Sequence, residues 1–302
     1  MTGGLPERAA GCPPPRPAAV AHHGRVSSDP AQDAAPPAEA PFAGAPFPQA
    51  PFAEALSALG PFFAVRQHPA GAAPRPPWQP MSRLAPGSEA LLDRVAAVRA
   101  GLARTHGVPP ERVESRVAAS VAHLGLAARL LSPALALAVL RRRALAVSLD
   151  ALWWQPVLGR PVPLSAAAED TGAGGGGPGT AHADASPAAL LGTYLADGPV
   201  AGLDAAFASL SVPPAVLRGN VASALHGATA AFAAGAGPGP AATARAALTR
   251  LLTGPALRGA AGTAPNGAFR RRSCCLIYRA APDRAGPVCG DCVLLDRRRG
   301  RG

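Results

Sequence analysis

The sequence contains no lysine, so all 29 of its basic residues are arginine. A phosphate-binding P-loop needs a Gly-Lys pair and is therefore excluded. Three further patterns are missing: Gly-x-Gly-x-x-Gly after a strand, His-Glu-x-x-His and Gly-x-Ser-x-Gly. Their absence argues against dinucleotide binding, zinc proteolysis and serine hydrolysis. We therefore expect that any electrons this protein uses come from another carrier.

Aromatic residues are also scarce, at 4% of the chain, and they form no pattern typical of a base-stacking surface. The formal net charge of +11 could suggest a nucleic-acid partner. Much of that charge is local, however, because nine arginines and three aspartates fall between positions 270 and 301. We expect no nucleic-acid partner, and interpret the arginines as a basic surround for a site in this segment.

Uninterrupted apolar runs are missing too. The first twenty residues have no apolar core, so a secretory signal is not predicted. The most apolar window, 117–140, contains His123, Arg129 and Pro133, which a membrane-spanning helix tolerates poorly. We expect a buried helix, no membrane span and a cytoplasmic protein. In that reducing compartment, clustered cysteines indicate a metal more often than a disulfide.

The cysteines are the most informative residues that the chain does contain. Four of its five cysteines fall within nineteen positions, as the doublet Cys274-Cys275 and as Cys289 and Cys292 in C-G-D-C. Four thiolates complete the ligand set of a structural zinc or of an iron–sulfur cluster. The doublet is unusual for zinc, and a redox disulfide is a third reading. Because adjacent side chains of a strand point to opposite faces, the backbone must bend at the doublet.

The pattern of the remaining chain predicts a mainly α (α+β) fold, a helical domain with a small β-hairpin followed by a short C-terminal site segment. Residues 1–51 are rich in Pro and Ala and are predicted to be disordered. Residues 52–268 form the helical domain, with a glycine-rich loop near 168–186. Residues 269–296 form the site segment, and 297–302 a basic tail.

Within the domain, Ser88 is expected to cap a helix that Gly107 ends, and 109–110 to start a second helix. Pro133 is expected to start or kink a third. Residues 145–149 and 157–164 are predicted to pair as the hairpin. Further helices are predicted at 187–197, at 201–210, from 213 and after 240, and a linker at 254–268.

Several other residues invite a functional reading, but each has a simpler structural one. The pair Trp153-Trp154 is expected to anchor the core, although it could form a wall beside the site. His123 and His226 are expected to be buried and hydrogen-bonded, and Asn220 to cap a helix or to form hydrogen bonds in the core. Arg129 is interpreted as a structural arginine, buried or snorkelling, of an apolar helix.

Six stretches of sequence together carry a family resemblance. They are R-R-S-C-C-L at 271–276, C-G-D-C at 289–292, A-L-G-P-F-F-A-V at 58–65, R-V-A-A-S-V-A-H-L-G-L-A-A-R-L-L-S-P at 116–133, L-W-W-Q-P at 152–156 and R-G-N-V-A-S-A-L at 218–225. Over roughly 52–296 the chain resembles actinobacterial members of the FhuF-like ferric siderophore reductases. One departure is the thirteen-residue spacing between Cys275 and Cys289, which is longer than the family's usual spacing; residues 281–286 are interpreted as a turn insertion.

The resemblance implies that Cys274, Cys275, Cys289 and Cys292 bind a 2Fe-2S cluster that serves as the redox centre. It implies a ferric siderophore as substrate and an external electron donor such as a ferredoxin or a reductase. Peripheral association with a siderophore transporter is compatible with it. The alternative from the residues alone is a zinc-stabilised four-cysteine binding module whose arginines contact nucleic acid or protein. A siderophore-binding or biosynthetic accessory protein with a structural cluster is a third hypothesis.

Overall fold

The structure, a computed structural model, describes residues 52–168, 185–264 and 266–295. The predicted disordered segment 1–51, the basic tail 297–302 and most of the glycine-rich loop near 168–186 lie outside these ranges. The described residues are mainly helical with two small sheets, so the predicted fold class is confirmed. The helices are α1 (Phe52–Ala58), α2 (Glu89–His106), α3 (Ser115–Arg141), α4 (Pro187–Ala196), α5 (Pro199–Ala208), α6 (Pro214–Gly235) and α7 (Pro238–Thr253).

Helix α3 is the centre of the fold, since it packs against α2, α4, α5, α6 and α7. By length and composition it could cross a membrane, but 72% of its most apolar stretch is buried inside the protein, as expected of a core helix. The prediction of a helix start or kink at Pro133 is wrong in one respect: a single helix continues through this residue. Pro133 is buried, so packing on all sides compensates for the hydrogen bond that its missing N–H cannot make.

The ends of α2 follow local rules and are confirmed. The Ser88 hydroxyl accepts a hydrogen bond from the Leu91 N–H at 3.3 Å, and Gly107 closes the helix in the left-handed region with φ of 63°. The predicted second helix starts later than expected. Pro110–Arg112 is a separate 3-10 turn, and α3 begins only at Ser115.

The larger sheet has four strands in the order β1-β4-β3-β2, and it corrects the predicted hairpin. Its strands are β1 (Arg66–His68), β2 (Gln79–Pro80), β3 (Leu152–Trp154) and β4 (Leu164–Ala167). Strands β3 and β4 are antiparallel, and β1 pairs with β4 in parallel. Residues 145–149 do not form the predicted strand; the β3 strand lies further along the chain. A strand of three residues carries too little period-2 pattern for its place to be read from sequence.

A single side chain ties this sheet region to α3. The guanidinium of Arg129, 2% exposed, donates hydrogen bonds to the backbone carbonyls of Phe62, Ala64 and Val162. Three segments that are distant in sequence are therefore held by one arginine. The structural interpretation of Arg129 is confirmed.

The predicted linker 254–268 is partly ordered as a second sheet. Strand β5 (Ala261–Thr263) pairs antiparallel with β6 (Phe269–Arg271), with Gly262 opposite Arg270. This hairpin leads directly into the cysteine segment, which therefore starts from a fixed position against the helical body.

Candidate metal centre

The four predicted cysteines lie together at the C-terminal side of the β5–β6 hairpin. The Sγ atoms of Cys275 and Cys289 are 3.0 Å apart, and those of Cys292 and Cys274 are 3.6 Å apart. Each close pair combines one cysteine of the doublet with one of C-G-D-C. Cys275 and Cys292 are buried, and Cys274 and Cys289 are partly exposed. The site thus lies at the edge of the protein, within reach of a molecule at the surface.

The backbone bends immediately after the doublet, as its chemistry requires. Leu276 adopts left-handed angles, with φ of 69°, and a 3-10 turn, Ile277–Ala280, follows. This conformation is strained for a residue with a side chain. Ala280 of the turn packs in a small apolar cluster with Ala103, Val113 and Val117, and that packing holds the bend against α2 and α3.

The segment before the doublet lies directly on α6. A Cβ atom added to Gly219 would lie 2.0 Å from the Ser273 hydroxyl oxygen and 3.3 Å from its Cβ, so any other residue would have to displace Ser273 from this close approach. The neighbouring Asn220 accepts a hydrogen bond from Nη1 of Arg271 at 3.1 Å through its Oδ1. The R-G-N stretch at 218–220 is thus the surface of α6 on which R-R-S at 271–273 packs.

The C-G-D-C turn is held by the same surface. The Ser223 hydroxyl donates to Oδ2 of Asp291 at 2.5 Å, and Arg271 Nε lies 3.3 Å from that oxygen. On the outer side, Arg270 Nη1 donates to the Gly290 carbonyl at 3.0 Å. Backbone N–H groups of Leu276 and Leu294 donate to the Cys274 and Cys292 sulfurs at 3.3 and 3.4 Å.

The electrostatics favour anionic sulfur beside a buried arginine. Hydrogen bonds from Cys274 and Cys289 lower the pKa of Cys275 to about 2, and a hydrogen bond from Cys274 lowers the pKa of Cys292 to about 6. The same shared hydrogen bonds raise the pKa of Cys274 and of Cys289. Burial alone would lower the pKa of Arg271, but Cys275 and Asp291 raise it above its ordinary value.

These residues fit a thiolate-bound cluster. The described residues hold no group of three or more His, Cys, Asp or Glu side chains arranged round one metal ion. Two thiol pairs instead suit two iron atoms with two thiolates each. Arg271 is 0% exposed, and its Nη2 has no oxygen acceptor among the described side chains and backbone. A positive group of this kind compensates for the charge of an anionic cluster.

Four cysteine thiols beside a buried arginine define a thiolate metal centre, the donor set of an iron–sulfur cluster or of a structural zinc. Residues 271–294 match the family described as the FhuF 2Fe-2S C-terminal domain, so this segment is FhuF-like, the protein is an iron–sulfur protein and the cofactor is a 2Fe-2S cluster. The match resolves the choice between iron–sulfur and zinc in favour of iron–sulfur. A search of curated proteins found no matching relative.

The tryptophan and the two histidines singled out in the sequence contact other protein side chains. Trp154 is fully buried in β3, with the Arg94 guanidinium 6.0 Å from its ring centroid. His123 is fully buried, and its Nε2 lies 2.7 Å from Oδ1 of Asp204. The prediction of a buried histidine is wrong for His226, which is half-buried because its ring stacks on Phe269 at the β5–β6 hairpin, with ring centroids 4.1 Å apart.

Sequence reasoning missed three residues that support the site. Ser223 and Asp291 bond to each other, and Glu114 pairs with Arg279 Nη2 at 2.6 Å beside the 3-10 turn. Asp291 had a signal, since it stands inside the C-G-D-C motif. Ser223 stands in the stretch 218–225 that carries the family resemblance, but nothing local marks its role, and Glu114 had no signal, because their partners lie far away along the chain.

Proposed function

We propose that this protein is a cytoplasmic ferric siderophore reductase that releases iron by one-electron transfer. The observation that carries the proposal is the FhuF-type 2Fe-2S domain, with two of its four thiols partly exposed at the edge of the fold. When bound, the cluster supplies a one-electron relay. The chain lacks the motifs for a nicotinamide nucleotide, so an external carrier, such as a ferredoxin or a reductase, donates the electron.

The reaction is balanced without a proton or a covalent intermediate on the protein. One electron enters from the donor and one leaves to the chelate, where Fe(III) becomes Fe(II). Fe(III) is a hard ion that siderophore oxygens hold tightly, and Fe(II) is softer, so reduction loosens the complex. This agrees with the absence of a nucleophile-and-base motif in the sequence.

The residues of the chain orient and shield the site. Arg271 keeps a positive charge beside Cys275, which favours the reduced state of an anionic centre. Arg270 fixes the C-G-D-C turn through the Gly290 carbonyl. The partly exposed Cys274 and Cys289 give the side from which donor and chelate approach. In a cell, peripheral association with a siderophore transporter would bring the substrate to this side.

The proposed ligand set is tested with Cys275→Ser and Cys289→Ser in protein purified anaerobically. We expect loss of the visible cluster absorption and of the rhombic electron paramagnetic resonance signal after reduction. Thr229→Val is the control, because Thr229 is buried in the C-terminal half of α6 and its hydroxyl donates to the Leu225 carbonyl of the same helix. An unchanged cluster in both cysteine variants would refute the ligand assignment.

The reductase activity needs a separate measurement. Protein reduced stoichiometrically with dithionite is freed of excess reductant and mixed with a ferric hydroxamate or catecholate chelate. We expect one Fe(II), trapped by ferrozine, for each oxidised cluster. A reduced cluster that is not reoxidised by either chelate would support the accessory-protein hypothesis instead.

A further inference from the structure

A continuous line of polar side chains, all buried except the half-buried Asp204, connects three helices to the cluster segment. Asp204 of α5 contacts His123 of α3, His123 contacts Asn220 of α6, and Asn220 contacts Arg271 of β6. His123, Asn220 and Arg271 are each 0% exposed. Buried polar groups carry a large desolvation cost unless they are satisfied, so each contact restricts the orientation of the next.

The Asn220 amide can be satisfied in only one orientation. Its Nδ2 lies 3.0 Å from the Ser120 carbonyl oxygen and 3.2 Å from the Ser120 hydroxyl. Its Oδ1 faces Nη1 of Arg271, which is a donor. A flipped amide would place NH2 against the guanidinium and an oxygen against the Ser120 carbonyl, so both bonds would be lost. Ser120 therefore orients Asn220 toward Arg271.

The histidine completes this orientation. Its Nε2 lies 2.7 Å from Oδ1 of Asp204, a carboxylate that accepts a hydrogen bond from a proton-bearing nitrogen. With the proton on Nε2, Nδ1 is an acceptor and faces Asn220 Nδ2 at 3.4 Å. Asp204 and His123 thus add an acceptor, beside the two of Ser120, to the side of the amide that must carry NH2.

Arg271 gains a fixed position from this arrangement. Asn220 accepts a hydrogen bond from Nη1, and Oδ2 of Asp291, in the C-G-D-C turn, forms an ion pair with Nε at 3.3 Å, so the guanidinium is held beside the cysteine segment, where its charge interacts with Cys275. A charge near a cluster shifts the reduction potential according to its distance, so a guanidinium that can turn away loses part of its effect.

We propose that Asn220 is a positioning residue that sets the reduction potential of the cluster by holding the Arg271 charge against Cys275. The inference rests on the 2Fe-2S assignment and not on siderophore reduction. Asn220 does not touch the thiols; it acts through Arg271.

The test measures the midpoint potential of holoprotein by anaerobic titration, with cluster content and unfolding midpoint measured in parallel. For Asn220→Ala we expect about a tenfold fall in the equilibrium constant for one-electron reduction, which is about 59 mV toward more negative potential. Arg271→Gln should lower the potential at least as much. In the Arg271→Gln background, Asn220→Ala should change it by less than about twofold, because no charge remains to be positioned.

A merely structural role is distinguished by the control Thr229→Ala, which deletes another buried polar group of α6 away from the segment. It should lower the unfolding midpoint and leave the potential unchanged. Equal shifts of potential in Thr229→Ala and Asn220→Ala, or full additivity of Asn220→Ala with Arg271→Gln, would overturn the proposal. Since no siderophore is present in these titrations, a failure of the reductase function leaves their outcome unaffected.

Discussion

The close approach of Ser273 to Gly219 predicts that adding one methyl group at position 219 weakens the packing of the cysteine segment on α6. The new Cβ would lie 2.0 Å from the Ser273 hydroxyl and 3.3 Å from its Cβ. Rotation of the hydroxyl can relieve the first contact but not the second. Overpacking of this kind costs about 1–3 kcal/mol, whereas Ala in place of Gly favours the helix by up to about 1 kcal/mol.

A matched Gly→Ala variant on the same helix separates the gain in helix propensity from the cost of the steric clash. Gly227 lies on the same helix, and a Cβ added there has nothing within 4 Å. Gly227→Ala should therefore stabilise the protein by about 0.5–1 kcal/mol, and Gly219→Ala should be less stable than Gly227→Ala by about 1–3 kcal/mol. Both are measured by urea unfolding, followed by far-ultraviolet circular dichroism for the helices and by visible absorption for the cluster.

The visible signal carries the sharper expectation. In Gly219→Ala the cluster absorption should be lost at a lower urea concentration than the far-ultraviolet signal of the helices. The reason is that the clash lies where the cysteine segment packs on α6. In a Ser273→Gly background the penalty of Gly219→Ala should disappear. Equal stability of the two alanine variants with equal cluster retention, or a penalty that persists without the Ser273 side chain, would refute the reasoning.

Two further predictions concern Arg129 in the helical domain and Glu114 beside the 3-10 turn. Arg129→Met should lower the free energy of unfolding by about 3 kcal/mol or more, since it leaves the Phe62, Ala64 and Val162 carbonyls without their donor; a loss below about 1 kcal/mol in a denaturation experiment would contradict this. Burial raises the pKa of Glu114, but the surrounding arginines lower it more, so the net pKa is below the ordinary value of 4.5. The ionised Glu114 carboxylate therefore stabilises the folded protein by at most about 1 kcal/mol. This stabilisation is present above pH 4.5 and is lost as the pH falls through the lowered pKa. Glu114→Gln should accordingly be less stable than wild type at pH 7, and the difference should shrink in acid; a difference that grows in acid would show the sign to be wrong.

The sequence predicted the parts of this fold that local chemistry determines. The Ser88 cap and the Gly107 end depend on residues within a few positions of each other, and both are found. The strands around Trp154 were misplaced, because each is two to four residues long and their pairings join distant segments. Pro133 was misread, since its propensity penalty is outweighed by burial that only the tertiary structure shows.

The candidate site divides in the same way. The spacing of the cysteines identified the thiols from one short segment of the chain. Their supports were not visible as supports: Asn220 and Arg271 are 51 positions apart, and Ser223 and Asp291 are 68 apart. The R-G-N-V-A-S-A-L stretch carried a family resemblance. No local rule, however, predicts that Gly219 of α6 packs against Ser273, which follows a hairpin far along the chain.

The thirteen residues between Cys275 and Cys289 form a loop whose length has little effect on the free energy of folding. Their two ends are joined by the close thiol pair, and the inserted part is closed on itself, with the Gly286 N–H bonded to the Tyr278 carbonyl at 3.0 Å. The entropy of closing a loop rises only with the logarithm of its length, by about 0.6 kcal/mol for a doubling. A few added residues therefore change the free energy of the closed loop very little. This stretch can vary in length and surface chemistry while the thiols at its ends keep their places.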